Sequence, residues 1–512
     1  MSIVNGTFAS EAFVVRRAAI VAVGAAWAAL LAVLLVSGNR LYAIPLIVST
    51  VFPVILYASR NPRLVFLVGA VFSAPLGLSI NFDSLTHIGG ATSYSIDLVD
   101  FFILPLAVFL VRDFARGYRK SFVVSWVPAW WLGLTALGLW SVIAGPYRQL
   151  PAFEVLRMVK LILLFLVLTN ECVRERRFEY VLYALAASVA LNVVIAAIQF
   201  AVKHDLGLQA LGEPSAEATL GASYGVFLRA GAVYRVGALI AHPNLFGAWL
   251  ALLLPILVAM LFTPLAGGTR LALAAVSVGG VAALILTLSR TAWAGFALAM
   301  VFLCAVLLLH PAVRRRYLAL KVALVGTLLA GSVAAAGPIL LRLTASDPGA
   351  LDFRREWLAI AWRMVEARPL LGFGLNTFTY QLPGYAPYSV SKLIDLFGTT
   401  WPVVHNVYML VWAEQGTVGL LLFLGFLVQI FWIGWRNFRF RASEKIFMLN
   451  AGALCGLSAI LVDGLGSFFI RVPSCGRTYW VVVSLVVAAN YWNRRNEPLR
   501  GGSPPQRGAS PR

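Results

Sequence analysis

The chain has 512 residues, of which 60% are hydrophobic and only 12% charged, and its mean hydropathy is +0.85. A soluble domain carries about twice that share of charge, so composition excludes an ordinary soluble protein and points to an integral membrane protein. The net charge of +20 does not call for a nucleic-acid partner, because basic residues that gather in the cytoplasmic loops of a polytopic protein account for it.

In chain order, apolar segments long enough to span a bilayer fall at about 18–36, 41–58, 64–80, 97–111, 121–144, 154–170, 178–201, 236–261, 271–288, 292–309, 317–341, 405–434, 446–466 and 476–492. The first follows Arg16 and Arg17 and is read as a retained span, being long for a signal peptide. Two segments are interrupted by charge: 97–111 holds Asp97 and Asp100, and 154–170 opens with Glu154, Arg157 and Lys160. The predicted class is an all-α polytopic bundle of about 12–14 transmembrane helices over 1–493, with a disordered basic tail at 494–512.

Basic residues orient this bundle. Clusters such as Arg112/Arg116/Arg119/Lys120, Arg314/Arg315/Arg316/Lys321 and Arg436/Arg439/Arg441/Lys445 fall on one side, together with both termini. That side is predicted to be cytoplasmic. Two segments on the opposite side are long, 202–235 and 342–404. The second contains "DFRREWLAIAWRMVEARPLLGFG", whose Phe353, Trp357, Ile360, Trp362, Met364 and Val365 predict the apolar face of a helix ended by Pro369. Such a helix lies at the interface or roofs the bundle. The four cysteines, Cys172, Cys304, Cys455 and Cys475, are scattered and form no metal or disulfide framework.

A few polar residues on the outer side need a reason. Arg290 stands between two apolar runs in "TLSRTAWAG"; a hairpin there places it at the outer surface, facing a cavity or snorkelling to headgroups. Arg235 precedes "VGALIAHPNLFGAW", in which His242, Pro243 and Asn244 fall inside the predicted span; proline at that depth predicts a kink lining a cavity. With an uninterrupted helix, Arg235 and His242 share a face. His405 and Asn406 stand where the large loop meets a span in "TWPVVHNVYMLVWAEQG", and Glu414 falls roughly opposite His405 on that helix. Taken alone, His405 reads either as an interfacial histidine or as a functional one. Guanidinium groups pair bidentately with phosphate oxygens, and a neutral imidazole accepts a hydroxyl proton. Together they describe transfer from an anionic lipid diphosphate.

The segments "RVGALIAHPNLFGAWLALLLPI", "TLSRTAWAGFALA", "RREWLAIAWRMVEARPLLGFGLNTF" and "VVHNVYMLVWAEQGTVGLLLFL", in that order, resemble the O-antigen ligase/polymerase family of membrane glycosyltransferases, over about residues 150–470. The resemblance implies an inverting, metal-independent glycosyltransferase of the bacterial inner membrane, with no cofactor and with both termini cytoplasmic. The implied donor is an undecaprenyl-diphosphate-linked glycan, the acceptor a sugar hydroxyl on a glycan or lipid-linked glycan, and the surroundings membrane lipids, with no nucleic acid. It implies His405 as catalytic base and Arg290 and Arg235 as diphosphate-binding residues, with Arg355, Arg354, Asn406, His242 and Asn244 as candidate substrate-binding residues. A lipid-linked oligosaccharide flippase or other polysaccharide transporter is the alternative, although such a protein would favour carboxylates near the midplane, and Asp97, Asp100 and Asp463 fall near span ends.

Overall fold

A computed structural model describes residues 52–59, 61–86, 88–118, 122–123, 125–173, 177–213, 225–228, 231–240, 242–309, 317–318, 320–322, 326, 350–387, 403–440 and 443–496. The chain divides into two units, Met1–Phe66 and Leu67–Arg512. The expected spans at 18–36 and 317–341 and the tail lie largely or wholly outside the described residues.

The protein is an all-α polytopic membrane protein. Its main helices are α1 (Pro62–Ser73), α2 (Leu98–Ala115), α3 (Val127–Ala144), α4 (Gln149–Cys172), α5 (Arg177–Val202), α6 (Pro243–Leu261), α7 (Gly267–Leu286), α8 (Arg290–Leu309), α9 (Ala350–Ala367), α10 (Val407–Asn437), α11 (Glu444–Asp463) and α12 (Pro473–Asn496). Among the described residues seven, α3, α5, α6, α7, α8, α10 and α11, are long and apolar enough to cross a membrane. The expected span at 64–80 is shorter than predicted. Its helix ends at Ser73, before Pro75, and β1 (Ser79–Phe82) pairs antiparallel with β2 (Tyr94–Asp97). A second hairpin joins β3 (Gly225–Leu228) to β4 (Gly231–Tyr234).

Helices α6 and α11 form the centre. About nine-tenths of each apolar window is buried in protein, against 28% for α7. Lipid is as apolar as leucine, so close backbone approach replaces the hydrophobic effect as the packing force. The sequence Gly452-Ala-Leu-Cys-Gly456 supplies it. A Cβ on Gly452 would stand 2.6 Å from the Ile256 Cα of α6, and one on Gly456 would overlap the Leu252 carbonyl. On the other side of α11, a Cβ on Gly295 of α8 would lie 2.7 Å from the Ala459 carbonyl.

Several charges inside the bundle are paired. Arg157 binds Glu154 one turn earlier on α4, and Arg471 bridges from Glu154 (3.2 Å) to Glu414 (2.7 Å). Lys160 pairs with Asp97 and, at 2.6 Å, with Asp100, while Arg477 lies 2.8 Å from Asp97. Thus the charges that interrupt 97–111 and 154–170 bind one another across α2, α4 and α12, as buried charges must. At the opposite end Asn437 donates to Asn450 (2.7 Å) and accepts from Asn490 (2.7 Å), tying α10, α11 and α12 together.

Helix α9 is the amphipathic helix expected over the bundle, and it packs on α10. Trp357, Ile360, Ala361, Met364 and Val365 form its buried face. Trp362 does not belong to that face as predicted. It lies well around the helix from Trp357, is 46% exposed, and meets Trp412 edge-on. The chain after α9 is stitched into α10, which breaks at Gly416 (φ 66°). Phe373 N and Gly374 N donate to the Ala413 and Glu414 carbonyls (3.1 and 2.8 Å), and Thr417 N donates to Pro369 O (2.8 Å). The Gly372–Gly374 pair therefore allows the backbone to approach the broken helix closely.

Candidate functional site

The starts of α6, α8 and α10 and the end of α11 lie at the same side of the bundle, and α9 packs on α10. At α7–α8 the sequence "TLSRT" makes a tight hairpin, as expected, with Leu288 in the left-handed region (φ 52°) and Arg290 opening α8. The helix N-termini bring partial positive charge to this end of the fold.

Pro243 corrects the expectation of a kink inside a span. Helix α6 begins at Pro243, where the missing N–H costs nothing, and His242 is the extended residue that caps it. Arg235 and His242 consequently do not share a helix face; the segment between them is a loop. That loop is held by α5, since Gln199 Oε1 accepts from Ala238 N (2.9 Å) and Asn192 Oδ1 from Leu239 N (3.1 Å). The buried Glu213 carboxylate in turn binds Gln199 and the amides of Leu206 and Leu208.

Arg235 is buried and fixed by two contacts. Its Nε donates to Thr287 O at 2.8 Å, which reaches the α7–α8 hairpin, and its Nη2 donates to Asn244 Oδ1. Asn244 therefore holds Arg235, and its own backbone N–H donates to His242 Nδ1 at 3.1 Å. A Cβ on Gly247 would meet Thr287 Oγ1 and Ala292 Cβ, each at 2.9 Å, so glycine there lets the starts of α6 and α8 come together.

His405 sits two residues before α10, its ring edge-on to Phe468 with centroids 5.6 Å apart. Burial, reinforced by Arg354, holds its pKa at about 4, against a hydrogen bond to the Val403 backbone that acts in the other direction. The adjacent Asn406 is occupied structurally. Its Oδ1 accepts from Met409 N (3.0 Å) as the α10 cap, and its Nδ2 donates to Leu465 O (3.3 Å). Val407 N also donates to Gly464 O (3.0 Å), so the end of α11 sets where His405 stands.

Arg354 faces this group. Its charge acts on both His405 and Asp463, and its Nη1 lies 4.0 Å from where a Gly466 side chain would begin. Asp463, fully buried at the end of α11, accepts from Thr291 Oγ1 at 2.9 Å and so joins α11 to the start of α8 beside Arg290. His242 is near enough that His405 contributes to its lowered pKa. The structure thus gathers Arg235, His242 and Asn244, the Arg290 turn, Arg354, and His405 and Asn406 at one end of the bundle. Asp463, Thr291, Asn192 and Gln199 were not singled out from sequence as parts of this site. The visible signal for the last two was a pair of amides seven residues apart in the otherwise apolar "LNVVIAAIQF".

Glu414 takes no part, as its position opposite His405 on the helix predicted. It accepts from Phe378 N (3.2 Å) and pairs with Arg471.

Comparison with known proteins adds an independent observation. Residues 275–424 match the O-antigen ligase family, and this segment includes Arg290, Arg354, Arg355, His405 and Asn406. The chain is also 29% identical over 205 residues to an O-antigen ligase of Pseudomonas aeruginosa, a match covering 40% of this chain and 44% of that protein, so it spans less than half of the relative's length. On these matches the chain, a membrane protein, is similar to O-antigen ligases over part of its length.

Proposed function

We propose that the protein is an inverting, metal-independent glycosyltransferase that moves a glycan from undecaprenyl diphosphate to a sugar hydroxyl at the outer face of the bacterial inner membrane. The observation that carries this reading is the position of His405, a buried neutral imidazole, at the same end of the bundle as Arg235, Arg290 and Arg354. In this reading both termini are cytoplasmic, and α9 roofs the site.

The chemistry follows from those groups. The His405 lone pair removes the proton of the acceptor hydroxyl as its oxygen attacks the anomeric carbon of the donor. The bond from that carbon to the diphosphate oxygen breaks, and its electron pair leaves on undecaprenyl diphosphate. Arg235 and Arg290 hold the diphosphate and stabilise the charge it gains, and Arg354 binds beside them. Attack from the face opposite the leaving group inverts the anomeric centre. Fixing Arg235 through Asn244 and Thr287 makes the anion site pre-formed, which lowers the reorganisation needed on binding.

The test is transfer by the purified, reconstituted protein from an undecaprenyl-diphosphate glycan to an acceptor glycan. Wild type is expected to transfer, with His405→Ala slower by about 10²–10⁴-fold and Arg290→Ala also impaired. No transfer by wild type, or wild-type rates in both variants, would overturn the reading. The surface-glycan pattern of a deletion strain then separates the acceptors: loss of all capped species indicates ligation, and a single-repeat band indicates polymerisation.

A further inference from the structure

His242 and His405 lie near one another in the site. The His242 ring accepts, at Nδ1, from the backbone N–H of Asn244 at 3.1 Å. A neutral imidazole has one donor and one acceptor nitrogen, so this contact puts the proton on Nε2. No hydrogen bond of Nε2 is formed among the described residues. Burial, reinforced by Arg235 beside the ring, keeps it neutral, at a pKa of about 3. A fixed N–H donor thus stands next to a buried guanidinium at a helix N-terminus, where local charge favours an anion.

We propose that His242 Nε2–H is a direct hydrogen-bond donor to a phosphate oxygen of the lipid diphosphate, so that the two histidines divide the labour: His405 accepts a proton from the acceptor and His242 donates a hydrogen bond to the leaving group. This rests on the glycosyltransferase reading above. It assigns to His242 a binding role distinct from capping α6, and to Asn244 the role of setting the tautomer while holding Arg235.

The two roles of His242 are separable by substitution. Asparagine and aspartate are strong helix N-caps, so His242→Asn and His242→Asp keep an acceptor for Asn244 N and preserve the start of α6. The short amide of asparagine does not reach where Nε2 stands, and aspartate brings a charge that repels phosphate. The measurement is binding of undecaprenyl diphosphate, without glycan, to the full-length protein in detergent or nanodiscs, together with the transfer rate. A hydrogen bond to a charged group predicts binding about 10- to 100-fold weaker in His242→Asn, and weaker still in His242→Asp. Thermal midpoints should stay near wild type for both and fall for His242→Ala. Wild-type binding and transfer in either capping variant would overturn the proposal and leave the reading of the site intact. If wild type itself neither binds the lipid diphosphate nor transfers glycan, the reading and the proposal both fall.

Discussion

The carboxylate of Glu414 lies 2.7 Å from the guanidinium of Arg471, and both side chains are buried. This pair uses the only carboxylate on the His405 helix near the site end, and it uses it away from His405. Arg471 also reaches Glu154 and donates to the Gly89 carbonyl (3.0 Å), so one side chain joins α4, α10 and the turn before α12. Arg471→Ala should leave Glu414 without its cation and Glu154 with Arg157 alone. Breaking a buried pair by removing one partner costs about 3–5 kcal/mol. The expected outcome is a clear loss of thermal stability in detergent, read as the fraction surviving a heat step. An unchanged midpoint would mean that the network is dispensable.

The wiring of His405 sets a pH dependence. The folded ring takes up a proton only near pH 4, while an unfolded histidine does so near 6.5. The ring is therefore already neutral, and competent as a base, throughout the range above about 5. The acid limb of kcat/KM for transfer should fall below pH 5, and a limb centred at 6.5 would contradict the placement of this imidazole. Stability has the same sign: between 6.5 and 4 the unfolded state binds more protons, so acidification through that window lowers stability. His405→Gln should remove the His405 share of that loss.

Gly416 is where the roof is fastened. Its φ of 66° breaks α10, and an added Cβ would stand 2.5 Å from the Leu371 backbone nitrogen. Gly416→Ala should strain the backbone by about 1–3 kcal/mol and displace the 369–374 segment. Limited proteolysis around Leu370–Leu371 should quicken and transfer should slow, with the remaining helices still folded. Resistance equal to wild type would show that the junction tolerates a side chain.

The central crossing should be equally sensitive to size. Gly456→Leu must separate α11 from the Leu252 carbonyl of α6, and overpacking of this kind costs about 1–3 kcal/mol. Because α6 carries His242 and Asn244 at its other end, thermal stability and transfer should fall together. A variant that keeps both would argue against close α6–α11 contact.

Much of the fold was legible in the chain. Apolar length marks the spans, and the period of Trp357, Ile360, Met364 and Val365 announces the buried face of α9. Hydropathy reports these because water and lipid act on every residue locally. The same local rule misplaced Trp362 and carried the α6 span too far toward Arg235, since it cannot distinguish a helix start at Pro243 from a kink within a helix. Only the tertiary structure decided which polar groups meet: Asn244 with Arg235, Thr291 with Asp463, Arg471 with Glu154 and Glu414. Pairing between separate segments depends on how whole helices pack, and packing depends on small-residue contacts such as Gly452 and Gly456 that leave little trace in hydropathy. The sequence by itself determined that this is a membrane bundle with a few cations and histidines at the ends of its apolar segments; the packing of α6, α8, α10 and α11 brought them to one place, because close-packed helices fix the positions of their ends.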